Sequence, residues 1–375
     1  DNDNQDGKRP ANIKINLYKK VGEAEKAFVE SKTVSADANG NWTWSFTDQP
    51  KYEGGVEIVY SITEDAVTGY TTTVSGYNVT NSHTPETVDI SGAKTWEDND
   101  NQDGKRPANI KINLYKKVGE AEKTFVESKT VSADANGDWT WSFTDQPKYE
   151  GGVEIVYSIT EDAVTGYTTT VSGYNVTNSH TPETVDISGS KTWNDADNQD
   201  GIRPANIKIN LYKKVGEAEK TFVESKTVSA DTNGNWTWSF TDQPKYEGGV
   251  EIVYSITEDA VTGYTTTVAG YNVTNSHTPE TVDISGAKTW DDADNQDGIR
   301  PASIKINLYK KVGEAEKAFV ESKTVKADAN GDWTWSFTDQ PKYEGGVEIV
   351  YSITEDTVTG YEEPVVDGYN VTNSH

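Results

Sequence analysis

The chain has 375 residues, a formal net charge of -27, 33% hydrophobic residues, and neither Cys nor Met. That charge repels nucleic acid and anionic membrane surfaces, so neither is an expected partner. The lack of Cys excludes disulfides and thiolate metal sites, and no run is apolar enough to span a membrane.

A low hydrophobic fraction and a mean hydropathy of -0.75 suit several small domains better than one large core. The 11 Trp, 20 Tyr and 8 Phe argue against disorder. The sequence is repetitive. Lys-Thr-Trp recurs at Lys94, Lys191 and Lys288, 97 residues apart, and residues 84–180 and 181–277 differ at seven positions. The fourth copy has one extra residue between Gly360 and Tyr369. The first copy begins at Asp1 and has no counterpart of Thr84–Glu97. The chain is 14 residues short of four full copies, the length of that segment, so it reads as a window on a longer array. The period fits an independent small β-domain, which predicts domains at 1–83, 84–180, 181–277 and 278–375. The junctions Ser82–Val88, Ser179–Val185 and Ser276–Val282 are short and hold one Pro each, which favours semi-rigid linkage.

In the second copy the predicted elements run as follows. Val88–Trp96 alternates and reads as a first strand, followed by a polar Asp/Asn loop. Ile110, Ile112 and Leu114 alternate with polar residues in a second strand, and Gly119 marks a turn. Lys123–Ala133 is extended. Asn136-Gly137 is a hairpin signal leading into a strand with Trp139, Trp141 and Phe143 on one face. Asp145–Gly152 reads as a crossover, Val153–Glu161 as a fifth strand, and Gly166–Val171 and Tyr174–Ser179 as the last two. Seven short strands with no helical period predict an all-β fold of tandem Ig-like sandwiches.

Three polar residues break the pattern. Residues two apart in a strand share a face. Lys94 shares parity with Val88 and Ile90, Glu161 with Ile155 and Ile159, and Asn178 with Tyr174 and Val176, so all three fall on apolar faces. Asn175 lies on the polar parity. A buried salt bridge with an Asn hydrogen bond would account for this, as would strand ends reaching water. So would chemistry: burial lowers a Lys pKa and raises a Glu pKa, and a neutral amine beside a carboxamide and a protonated Glu can form an amide and expel ammonia.

The combination of Ser91–Trp96 (SGAKTW), Asp100–Pro107 (DNQDGKRP), Ile110–Tyr115 (IKINLY), Tyr157–Glu161 (YSITE), Gly166-Tyr167 and Val176–Asn178 (VTN) resembles the B-type domains of Gram-positive collagen-adhesin surface proteins. The resemblance covers the whole repeat. It implies a reverse Ig-like (CnaB-type) sandwich with a spontaneous Lys–Asn isopeptide bond promoted by a Glu. Carried over by motif, the sets are Lys94, Glu161 and Asn178; Lys191, Glu258 and Asn275; and Lys288, Glu355 and Asn373. The first copy keeps Glu64 and Asn81 but has no Lys partner. Its missing strand would come from a preceding part of the polypeptide or from a neighbouring chain.

Other constellations are weaker. The loop with Asn99, Asn101, Asp103 and Gly104 starts like a calcium loop but places Ile110 where the twelfth-position Glu belongs, so it reads as a self-capping turn. His83, His180, His277 and His375, one per copy, read as junction residues. The Trp-Thr-Trp pairs read as core. The Asn-Val-Thr sequons at Asn78, Asn175, Asn272 and Asn370 carry no assigned role. No cofactor or metal is expected, and no turnover constellation is visible. The implied role is a stalk on the cell wall of a Gram-positive bacterium, with any host ligand bound by domains outside this chain. The rival is that the repeats themselves bind matrix or glycan, which would need an exposed aromatic patch at repeated spacing.

Overall fold

A computed structural model describes all 375 residues, with strands and no helix. The chain divides into two compact units, Asp1–Pro182 and Glu183–His375, each holding two sequence repeats.

The second repeat shows the sandwich. One sheet has strand order Thr140–Pro147, Thr87–Glu97, Asn175–Ser179, Thr168–Ser172. The other has order Tyr149–Glu150, Val153–Glu161, Ile110–Val118, Thr124–Val131. All pairings are antiparallel except that of the first and last strands, which run parallel with Lys94 opposite Val176 and Asn178 opposite Trp96. Ile112, Leu114, Phe143 and Val176 are fully buried between the sheets, as period-two alternation requires. Gly92 lets the last strand come close, because a Cβ there would lie 1.7 Å from the Tyr174 carbonyl oxygen. The third and fourth repeats have the same two sheets.

Two expectations shift. Asn136-Gly137 makes a turn, with Gly137 at φ +87°, but no hairpin, because Thr124–Val131 and Thr140–Pro147 lie in different sheets and the turn crosses between them. The segment after Phe143 is a strand up to Pro147 rather than a crossover. Asp145 adopts φ +57°, its amide donates to the Asp89 carboxylate at 2.9 Å, and pairing resumes with Gln146 opposite Val88. This is a bulge, which alternation alone does not reveal.

The first repeat keeps its Ala27–Val34, Ile13–Val21, Val56–Glu64, Tyr52–Glu53 sheet and a two-stranded Thr71–Ser75, Asn78–Ser82 hairpin. Trp42, Trp44 and Phe46, whose counterparts pair with the first strand elsewhere, belong to no strand. They line an open groove of about 560 Å³ with Leu17, Tyr60 and Ile62.

Adjacent repeats meet in a polar joint within each unit. Asp6 accepts hydrogen bonds from the Glu86 amide (2.8 Å) and from His83 Nε2 (2.9 Å). Lys8 and Lys148 both pair with Glu86. The Gly152 amide donates to the Gln5 carbonyl, and Gly7 and Gly152 lie backbone to backbone. In the second unit Asp200, His277, Glu280 and Lys342 repeat the arrangement, and the Gly346 amide donates to the Gln199 carbonyl.

Candidate functional site

In the second repeat Lys94 and Asn178 project from one sheet, and Glu161 projects from the facing sheet. Lys94 Nζ lies 2.9 Å from Glu161 Oε1, and neither side chain is exposed. The contact lacks the alignment of a hydrogen bond. Burial pushes the Lys94 ammonium below its ordinary pKa, against the attraction of Glu161. Asn178 is 0% exposed, and neither its Oδ1 nor its Nδ2 has a hydrogen-bond partner. Unpaired buried polar atoms cost roughly 1–3 kcal/mol each, so this carboxamide demands an explanation.

The same three residues meet in the later repeats. Lys191 Nζ donates to Glu258 Oε1 at 2.7 Å. Lys288 Nζ lies 3.4 Å from Glu355 Oε2. Asn275 and Asn373 are both 0% exposed and unpaired. Burial lowers the pKa of Lys191 and Lys288 and raises that of Glu355. The first repeat differs. Without a lysine, Asn81 Nδ2 donates to Glu64 Oε1 at 3.0 Å, and both residues line an opening of about 440 Å³.

Trp96 covers the site, its ring centroid 4.5 Å from Lys94 Nζ. Arg106 sits over the same ring at 5.5 Å and is bound by Asp98, which also accepts from Tyr167 and the Asn101 amide. The polar loop is thus a self-capped turn that seals one end of the core. Asn99, Asp100 and Asn101 all have positive φ, a conformation that Asn and Asp tolerate better than most residues. No group of three or more His, Asp or Glu is placed to hold a metal. His83 and His277 lie at the joints within the two units: His83 Nδ1 is 2.7 Å from the Gly69 carbonyl, and Nε2 faces Asp6.

Thr169 was not found from sequence. Its hydroxyl donates to Glu161 Oε2 at 3.0 Å, and Thr266 does the same to Glu258. The asparagine set was legible through parity, whereas this threonine lies in a Thr168–Thr170 run that offers no contrast.

The profile of the Cna protein B-type domain matches residues 1–82, 90–179, 187–276 and 284–374. The chain belongs to the Cna protein B-type domain family. Domains of this family are structural rather than enzymatic. Among its relatives, the Cna B-type repeats here are 39% identical over 387 residues to a collagen adhesin of Staphylococcus aureus, covering all of this chain and 30% of that protein. The chain therefore spans about a third of that relative's length. A solved structure of two B repeat units of the collagen binding protein of Staphylococcus aureus is 35% identical, covering 99% of this chain and 95% of that one, with a TM-score of 0.45. A single B repeat unit of the same protein is 36% identical over 52% of this chain and 100% of that one, with a TM-score of 0.23. No helix is long and apolar enough to cross a membrane.

Proposed function

We propose that the chain is a stalk segment of a bacterial surface adhesin, held outside the cell wall of a Gram-positive organism. Its domains, at 1–83, 84–180, 181–277 and 278–375, are adjacent partners in a tandem array. The three complete ones lock themselves with Lys94–Asn178, Lys191–Asn275 and Lys288–Asn373 amide bonds. The observation that carries this is the fully buried, unpaired Asn carboxamide beside a desolvated Lys–Glu pair, found three times.

The pair passes one proton from the ammonium to the glutamate. The neutral amine attacks the Asn side-chain carbon, while the glutamic acid hydrogen-bonds the carboxamide oxygen. The C–N bond to the amide nitrogen then breaks as the glutamic acid gives that nitrogen its proton, the regenerated carboxylate takes the second proton from the attacking lysine nitrogen, and ammonia leaves. Each site reacts once and consumes its own residues. Intact mass tests this: the chain should fall short of its sequence mass by three ammonias, and a full sequence mass would refute the bonds.

In the first repeat Glu64 and Asn81 await a lysine-bearing strand. A strand like Thr84–Glu97 would complete the site, whether from the same polypeptide or from a neighbouring chain. A denaturing gel separates the two, because only linkage between chains gives a ladder of multiples of 41.2 kDa.

A second reading, that the repeats bind matrix or glycan ligands directly, is favoured by one observation. Phe125 is 57% exposed and stands edge-on to Tyr115 on an outer sheet face, with Phe28, Phe222 and Phe319 equivalent. Replacing all four Phe with Ser tests it: a spacer keeps the host adhesion of the intact surface protein, and a binding module loses it.

A further inference from the structure

The side chain that separates the repeats at this site is a threonine. Thr169 lies opposite Asn178 across the last two strands. Its hydroxyl holds Glu161 Oε2, leaving Oε1 facing Lys94. Thr266, opposite Asn275, holds Glu258 Oε2 at 3.0 Å, and Oε1 accepts from Lys191. In the first repeat Thr72 Oγ1 lies 2.8 Å from Glu64 Oε2 and 2.7 Å from Asn81 Oδ1.

The fourth repeat has no such hydroxyl. Its penultimate strand is cut to Val365–Asp367, with Val365 opposite Thr372. Continuing that register puts Pro364 opposite Asn373. Both Glu355 oxygens lack a hydrogen-bond partner, and Lys288 Nζ lies farther away, 3.4 Å from the nearer one.

We propose that Thr169 and Thr266 are positioning residues for cross-linking, each fixing one glutamate oxygen so that the other meets the lysine, and that the fourth repeat, with Pro364 in that place, closes its bond more slowly and only at higher pH. This rests on the cross-linking reading above.

The sign follows from the proton path. The glutamate must be a carboxylate to take the proton from the ammonium, so the rate falls once acid protonates it. A hydroxyl donor stabilises the carboxylate. Without it the fall comes at higher pH. Burial already raises the Glu355 pKa, opposed by Lys288 on the first strand. Asp356 on its own strand adds repulsion and is held by Asn307. Arg300 and Asp292, beyond Trp290, pair with each other. In the second repeat Lys94 faces Glu161, with Asp162 held by Asn113 and Arg106 paired to Asp98.

The test is a pulse of cell-free synthesis of the full chain, transfer to buffers of graded pH, acid quenching at intervals, and counting of each repeat's cross-linked peptide by mass spectrometry. Thr169→Val should slow closure of the second repeat about ten-fold and move its acid limb to higher pH, with the third repeat unchanged. Thr169→Ser should restore both. The unmodified fourth repeat should behave like the Val variant. Unaltered rate and pH profile in Thr169→Val, or no recovery in Thr169→Ser, overturns the positioning role. Absence of cross-linked peptide from every repeat of the unmodified chain overturns the cross-linking reading itself.

Discussion

Lys94 and Asn178 sit on parallel neighbouring strands, two register positions apart and on the same inward face. Their strands are the first and last of one repeat, and the residues are 84 apart in sequence. A bond between them therefore closes nearly the whole domain into a loop. By analogy with a disulfide, such closure stabilises by about 4.5 kcal/mol through the unfolded state.

Mechanical behaviour follows from that placement. Tension entering along the first strand and leaving along the last passes through the cross-link and bypasses the core. In single-molecule pulling the second to fourth repeats should resist extension to full contour length. Lys94→Ala should release the second repeat alone. Full extension of all three in the unmodified chain would contradict the bonds.

Removing the proton carrier should act locally. Glu161→Gln keeps the volume of the side chain but cannot accept the Lys94 proton. The variant should fold, with intact mass short by two ammonias instead of three, and peptide mapping should place the loss at Asn178. A deficit of three would show that Glu161 is dispensable.

The groove of the first repeat should be completable. Adding the sequence of Thr84–Glu97 ahead of Asp1 supplies a first strand and a lysine to Glu64 and Asn81. The extended chain should lack four ammonias, and Trp42 and Trp44 should become protected from quenchers. A deficit that stays at three would remove Glu64 and Asn81 from the candidate set.

Acid should weaken the seal over the site. Burial alone would raise the Asp98 pKa, but hydrogen bonds from Arg106, Tyr167 and the Asn101 amide outweigh it and hold it at about 2. A folded value below the unfolded one, about 4 for Asp, contributes stability that is present above that unfolded value and lost as pH falls toward the folded one. Melting temperature should therefore drop between about pH 4 and pH 2. Asp98→Asn should flatten that limb, and an unchanged limb would assign the loss to other carboxylates.

Much of the fold was legible because strands alternate with period two. That rule places Lys94, Glu161 and Asn178 inside, whereas the Asn136-Gly137 signal marks a turn but no hairpin, because the strands it joins, Thr124–Val131 and Thr140–Pro147, lie in different sheets. The bulge at Asp145 was hidden, since it depends on a single residue at positive φ bonded to Asp89 across the sheet. Thr169 was hidden for another reason. Its neighbours Thr168 and Thr170 are identical to it, so only its distance to Glu161 sets it apart.

The joint within each unit draws Asp6, Gly7, Lys8 and His83 from one repeat and Glu86, Lys148 and Gly152 from the next. In sequence every complete repeat carries the Asp, Gly and His of one half of this fitting and the Glu, Lys and Gly of the other, although Ile202 and Ile299 stand where the first repeat has Lys8. Recombination that inserts or deletes one whole period rejoins like ends and leaves each fitting matched, whereas a fractional step would separate the Asp loop from its glutamate. A gene built this way can lengthen or shorten its product in quantised steps, with no new interface to evolve.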